Sequence, residues 1–259
     1  MSGEYVILGN QTILKQLLAG PYIFLDTRDN VNVAIGLHGL WEPWVTKQFM
    51  TVVKPGMTVL DIGAHCGYFS LLAGLLVGFH GKVYSFEPNP YYHYNFLRSM
   101  ALNAYSHVTL HKVALHKKKG KMEIIQCSED GEDGPSISPF GIGFPHKNHR
   151  ITVETGNLLD YLPSLKVDVI KIDVDGGEPF IMDSIIEIVK HNPNIKIFME
   201  YLPSIWGGHD PYPFLKKLAD QGMGFQILQW DGKVVPTSVD YLSNYKDPIM
   251  HLDLFLERK

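Results

Sequence analysis

The 259-residue sequence predicts an α/β chain: a mostly parallel sheet covered on both faces by helices. Three observations point there. From Thr58 onward, short apolar runs alternate with amphipathic segments, as in sheets whose strands are buried on both faces. A glycine turn follows the first of these runs, T-V-L-D-I-G-A-H-C-G from Thr58 to Gly67. A lone carboxylate, Glu87 in S-F-E-P-N-P, then follows the second run, at the roughly twenty-residue spacing of a nucleotide-binding unit.

Taken in order, strands are expected at Thr58–Asp61, Lys82–Phe86, Val108–Val113, Val167–Ile172, Ile195–Tyr201 and Gly224–Gln229, with a last one near His251–Leu256. That makes seven, in a sheet that is mostly parallel. Helices are expected between them at Tyr68–Val77, Pro90–Asn103, Glu178–His191 and Tyr212–Gln221. Lys121–Gln126 reads as a hairpin strand that turns at Lys118–Gly120 and pairs with the strand before it. Residues 56–259 form the main domain, and residues 1–55 form an N-terminal segment packed on it. In that segment Gln11–Leu18 looks helical, while Tyr22–Leu25 and Val31–Ile35 look like strands around a D-T-R-D-N turn. Residues 128–150 hold four glycines, three prolines and no clear period. With Phe140, Phe144, His146 and His149 as contact groups, that stretch is expected to be a lid loop.

Composition narrows the function. A net charge of −4 gives no electrostatic reason to expect nucleic acid, and the only dense basic run, Lys117–Lys121, contains Gly120 and reads as a solvated turn. The longest apolar run, Tyr68–Phe79, is interrupted by Ser70, Gly74 and Gly78 and is too short for a membrane span. No basic stretch precedes an apolar one at the N-terminus, and Cys66 and Cys127 match no metal spacing. A cytoplasmic protein without a membrane partner is therefore expected.

The chemistry is expected at the carboxyl ends of the strands. Gly63 and Gly67 allow a sharp turn beside a ligand, and Glu87 is placed to accept both hydroxyls of a ribose. Asp61 stands where a pyrophosphate site has its first glycine, so an anion there would repel phosphate. The ligand should carry positive charge, and S-adenosylmethionine, with an ammonium, a sulfonium and an adenosine, fits. Asp61 and the amides of Gly63, Ala64, His65 and Gly67, with Tyr68 following, would meet its amino-acid end. Pro88, Asn89, Val113 and Ala114 would flank the adenine. In H-G-L-W-E-P-W, Glu42 is a further acid for the amino-acid end, and His38 opens the same stretch.

The second acidic cluster is K-I-D-V-D-G-G-E, Lys171 to Glu178. Asp173 ends its strand facing the methyl donor and is the leading candidate for catalytic base, with His65 and Glu200 as alternates. Asp175, Glu178, His38, His146 and His209 are the candidate acceptor contacts. Glu178 also suits the positive end of a helix dipole. Asp173 and Asp175 alternate as a metal pair would, but without a third ligand no metal is expected.

These clusters together resemble the FkbM family of class I S-adenosylmethionine-dependent methyltransferases, from about Gly39 to Tyr201. The matching stretches are W-E at Trp41–Glu42, D-I-G-A-H-C-G-Y at Asp61–Tyr68, F-E-P-N-P at Phe86–Pro90, K-I-D-V-D-G-G-E, and I-F-M-E-Y at Ile197–Tyr201. His65 replaces a usual asparagine and Asp175 a usual glutamate. The resemblance implies a Rossmann-like fold with seven strands, S-adenosylmethionine as donor, and methylation of a hydroxyl on a sugar, glycan or secondary metabolite. The rival expectations are an amine or RNA acceptor, or a non-catalytic S-adenosylmethionine-binding scaffold.

Overall fold

The computed structural model describes residues 4–127, 136–138 and 148–258. Three strands open the chain, β1 (Tyr5–Gly9), β2 (Thr12–Gln16) and β3 (Tyr22–Asp26), followed by α1 (Asn30–His38) and α2 (Pro43–Val52). Then come β4 (Thr58–Ile62), α3 (Tyr68–Val77), β5 (Lys82–Phe86), α4 (Pro90–Leu102) and β6 (Val108–His111). A side sheet uses β7 (Ala114–Leu115), β8 (Gly120–Cys127), β9 (Ser136–Ser138) and β10 (Asn148–Gly156). The chain returns through β11 (Val169–Ile172), α5 (Glu178–His191), β12 (Lys196–Tyr201) and α6 (Tyr212–Asp220). It ends with β13 (Met223–Leu228), β14 (Val234–Thr237), α7 (Val239–Ser243) and β15 (Leu252–Arg258).

The main sheet has eight strands in the order β14-β13-β15-β12-β11-β4-β5-β6. It is the expected seven plus β14, an antiparallel edge strand whose Pro236 suits an edge that donates few ladder bonds. β4, β5, β6, β11 and β12 are mutually parallel, and β15 runs antiparallel between β12 and β13. From β4 the chain steps outward to β5 and β6, then returns to the other side of β4 through β11 and β12. The order therefore reverses between β4 and β11, where a cleft opens beyond the strand ends.

Apolar side chains fill both faces of this sheet. One core joins Leu60, Ile62, Ile170 and Ile172 to Ile181, Ile185 and Ile188 of α5. The other joins Val59, Val83 and Val169 to Leu71 and Leu72 of α3 and to Ile13, Ile23, Ile35 and Phe49 of the N-terminal segment. Backbone amides of Tyr22 and Phe24 also donate to Asn103 and Ser99 of the α4 region, at 2.8 and 2.9 Å.

Three local expectations are corrected. Gln11–Leu18 is not helical: β2 occupies its centre, with Ile13, Lys15 and Leu17 buried on one side. Val31–Ile35 is not a strand but part of α1, capped by the Asp29 carboxylate accepting from the Asn32 amide at 2.7 Å and closed by Gly39 in the left-handed region. Lys121–Gln126 does not pair with the strand before it. Its β8 runs antiparallel to β10 in a separate sheet, so the 128–150 stretch contains strand at Ser136–Ser138 and from Asn148 onward. The rest of the expected lid, with Phe140, Phe144 and His146, lies outside the described residues, as does the His149 side chain.

Candidate active site

The β4 turn is built around a close approach of two backbones. The amides of Gly63 and Ala64 donate to the Phe86 carbonyl at 2.9 and 3.0 Å, and the Asp173 amide donates to the Ile62 carbonyl at 2.9 Å. A Cβ on Gly63 would stand 1.7 Å from the Asp173 carbonyl oxygen, so the turn can sit against the β11 end only without a side chain. His65 is forced to φ 51°, and its amide donates to Glu87 at 2.8 Å. The other Glu87 oxygen accepts from the Asn89 amide at 2.7 Å. This fixes the carboxylate, while burial pushes its pKa up to about 7.

Two hollows meet at this turn. A small apolar one of about 60 Å³ is walled by Phe86, Val113, Ala114, Leu115, Ile124 and Phe180, with Pro88 and Gly63 on its rim. The larger cavity, about 350 Å³, holds Glu42, Asp61, Ala64, His65, Tyr68, Glu87, Pro88, Asp173, Asp175 and Glu200, with Lys171 and His251. Gly63, Pro88 and Val174 line both hollows and form the junction, and Glu87, between Phe86 and Pro88, lines the acidic one.

One buried cation organises the acids. Lys171 Nζ lies 2.8 Å from Asp173 Oδ2, 4.0 Å from Glu42 Oε2 and 4.9 Å from the Phe69 ring centroid. Burial opposes its charge, but Asp173 and Glu42 outweigh that and hold its pKa above the ordinary value. In return Lys171 holds the Asp173 carboxyl below its usual range despite burial. Glu42, 8% exposed, starts α2 at φ 41° with Oε2 accepting no hydrogen bond. Burial pushes it up to about 7, against the pull of Lys171. Asp61 pairs with Lys171 in register and accepts from Ser70 Oγ at 2.5 Å; burial raises it to about 6. Burial, then Asp173 and other neighbouring acids, lift Asp175 and Glu200 well above the carboxylate range. Oxygens of Glu42, Asp173 and Glu200 lie within 4.8 Å of one another, with Lys171 supplying cationic charge against Asp173 and Glu42.

Several expected residues take other roles. His65 Nε2 sits 3.2 Å from Asp29, and its ring lies against Tyr92 with centroids 3.9 Å apart and the planes tilted by 42°. Burial works against its charge, but hydrogen bonds to Asp29 and Cys66 raise its pKa well above the usual value, and its Nε2 is already engaged by Asp29. Asp173, kept ionised by Lys171, is a weak base. Gly67 starts α3 with its amide on the Ala64 carbonyl and faces Phe96, lining neither hollow. Asn89 caps α4 through the Tyr91 amide at 3.1 Å and also lines neither. Glu178 is 3% exposed and accepts from the Val174 amide at 3.3 Å, shaping the turn from behind. His38 is exposed at the end of α1, and exposed His209 reaches Phe180 at 5.8 Å instead of the acids. His146 lies outside the described residues. The residues that sequence reasoning passed over are Asp29, Lys171 as counter-ion, Phe180 and His251.

An apolar hollow, a fixed acid after β5 and an acidic chamber beside it lie together at the switch point of a parallel sheet, where such folds bind their ligands. The fold and site define a class I S-adenosylmethionine-dependent methyltransferase. The family model of the methyltransferase FkbM domain matches residues 61–227, and the chain belongs to that family. No curated protein sequence matches it significantly. Among solved structures it is similar to the methyltransferase FkbM from Methylobacillus flagellatus KT, at 13% identity and TM-score 0.47, covering 87% of this chain and 52% of that one. It is also similar to the precorrin-6y C5,15-methyltransferase from Geobacter metallireducens GS-15, at 15% identity and TM-score 0.44, covering 83% and 87%. A third is TYW2 of P. horikoshii in complex with MeSAdo, at 13% identity and TM-score 0.49, covering 97% and 73%. Among the described residues no helix is long and apolar enough to cross a membrane.

The site makes a calorimetric prediction. Glu42 and Glu87 both titrate at about 7 in the ligand-free protein, so near neutrality they are partly protonated. A cationic ligand favours their ionised forms. Binding of S-adenosylmethionine at about pH 7 should therefore release protons and strengthen as pH rises through that range. Titration calorimetry in two buffers of different ionisation enthalpy measures this directly. Identical heats in both buffers would contradict it, and Glu42→Gln should reduce the release.

Proposed function

We propose that this methyltransferase acts on a hydroxyl of a sugar, glycan or secondary metabolite. The observation that carries the reading is the acid-rich wall at the acceptor end, where Asp173, Asp175 and Glu200 line the cavity beside one lysine. Such a wall repels a phosphate backbone, which argues against RNA. It also stabilises an amine as ammonium, which has no lone pair to attack with. A neutral polyol suffers neither penalty and offers several hydroxyls to acceptor oxygens.

The residues divide the work along the cavity. The apolar hollow takes the adenine, and Glu87, fixed by two amides, accepts from the ribose. Glu42 and Asp61 face the amino-acid end with charge opposite to the ammonium. When bound, S-adenosylmethionine supplies a methyl made electrophilic by its sulfonium. The Gly63–His65 turn and Tyr68 line the cavity at the reacting end, which supplies alignment. Asp175 and Glu200 accept hydrogen bonds from the acceptor and orient it.

The test is product analysis with a panel of methyl glycosides, polyols, primary amines and short RNAs, using donor labelled with carbon-13 on its methyl. The carbon-13 shift of the transferred methyl separates an oxygen from a nitrogen attachment. Transfer to glycoside or polyol oxygen is expected. Transfer to amines or RNA alone would overturn the reading, and tight donor binding without turnover on any class would favour the scaffold.

A further inference from the structure

We propose that His251 is the general base for the acceptor hydroxyl, working as a dyad with Asp253; this rests on the hydroxyl reading above. His251 lies just ahead of β15, the antiparallel strand beside β12. Because β15 runs opposite to its neighbour, its beginning, not its end, reaches the ligand edge of the sheet. There His251 lines the acidic cavity with Glu200 and Asp173.

Its surroundings are those of an imidazole built to take a proton. Nε2 stands 3.7 Å from Asp253 Oδ2, a charge contact of the length that catalytic pairs often show before the reacting complex tightens them. The same oxygen accepts from Trp44 Nε1 at 2.6 Å, which fixes the 7%-exposed carboxylate in place. A carboxylate on one ring nitrogen leaves the other, Nδ1, for the incoming proton and stabilises the imidazolium that results. The other groups facing His251 are Glu42 at the start of α2, Asp173 after β11 with its Lys171, and Glu200 on β12, the register partner of Asp253. Asp253, then Glu42 and Asp173, raise the imidazole above its ordinary pKa against the effect of burial. By contrast Asp173 is tied to Lys171 and His65 to Asp29. In the transfer the hydroxyl proton passes to His251, the oxygen lone pair becomes the new O–C bond, and the S–C bonding pair stays with sulfur. The proton later leaves to solvent, which reaches the 34%-exposed side chain.

The experiment combines kinetics on a methylated glycoside from the panel with NMR titration of the ring. His251→Gln should lower kcat about 10²–10⁴-fold and remove the rising limb of the pH–rate profile. Affinity for S-adenosylhomocysteine by calorimetry should change less than about threefold, since the base does not hold the donor. Asp253→Asn should move the limb to lower pH by about one unit. Without any acceptor, proton–nitrogen correlation spectra, assigned by the His251→Gln difference, should show the imidazole titrating above the ordinary value and falling in Asp253→Asn. Oxygen methylation that survives His251→Gln with its pH limb intact would overturn the base. A ring that titrates at or below the ordinary value, indifferent to Asp253, would overturn the dyad even if no acceptor is turned over. Methyl found on nitrogen alone would instead strike the hydroxyl reading, while the NMR result still decides the dyad.

Discussion

Gly63→Ala is expected to abolish measurable S-adenosylmethionine binding while leaving most of the fold in place. The added methyl would stand 1.7 Å from the Asp173 carbonyl oxygen, a backbone atom that no rotamer change can move aside. It would also force alanine to φ 86°, in the left-handed region. Strain and overpacking together should cost about 2–6 kcal/mol, within the stability of an ordinary domain. The relief available is to push the β4 turn away from the β11 end. That displaces the His65 amide from Glu87 and opens the junction between the apolar hollow and the acidic chamber. Gly56→Ala is the matched control, with a similar φ of 81° but nothing within 4 Å of the added carbon. It should cost about 1–2 kcal/mol and leave binding unchanged. Urea denaturation and calorimetry on both variants check this, and a Gly63→Ala protein with wild-type affinity would refute the close-approach argument.

The parts of the site legible in the sequence are those where one short stretch does the whole job. Asp61, Gly63 and Glu87 each end a parallel strand, so an apolar run followed by its turn residues reveals both strand and site. The N-terminal segment was misread because its inward row is not purely apolar. Lys15 sits between Ile13 and Leu17 on the buried side of β2, which breaks the alternation that marks a strand. In α1 the error ran the other way. Val31, Val33 and Ile35 alternate like a strand, but Asp29 as N-cap and Gly39 as C-cap were both visible in the sequence and carry the correct answer. His251 was invisible for a topological reason. On a parallel strand the ligand edge is where the strand ends, whereas on the antiparallel β15 it is where the strand begins. Lys171 was read only as the opening of an acidic motif, since nothing local says that a lysine inside an apolar strand will serve as counter-ion to Glu42, more than a hundred residues away.

That lysine carries the second large effect. Lys171→Met should destabilise the protein by about 3–5 kcal/mol near neutral pH, because it leaves the buried Glu42 and the half-buried Asp173 without their cation. The pH dependence distinguishes this from a simple packing loss. In the wild type Asp173 has a depressed pKa, so the stability it contributes is present above the unfolded carboxylate value and is lost as pH falls through the lower folded value. Without Lys171, burial dominates and the folded pKa of Asp173 rises above the unfolded one. The variant's folded state then binds more protons than its unfolded state, and its stability falls as pH climbs above about 4. The gap between the two proteins should therefore widen from about pH 5 to about pH 7.5, measured by urea midpoints. Adding Asp173→Asn should recover part of the loss, since it removes the charge that Lys171 compensated, and the double-mutant cycle measures the coupling. A Lys171→Met protein with a constant deficit across that range, unrelieved by Asp173→Asn, would show that the lysine acts through its stem against Phe69 and not through its charge.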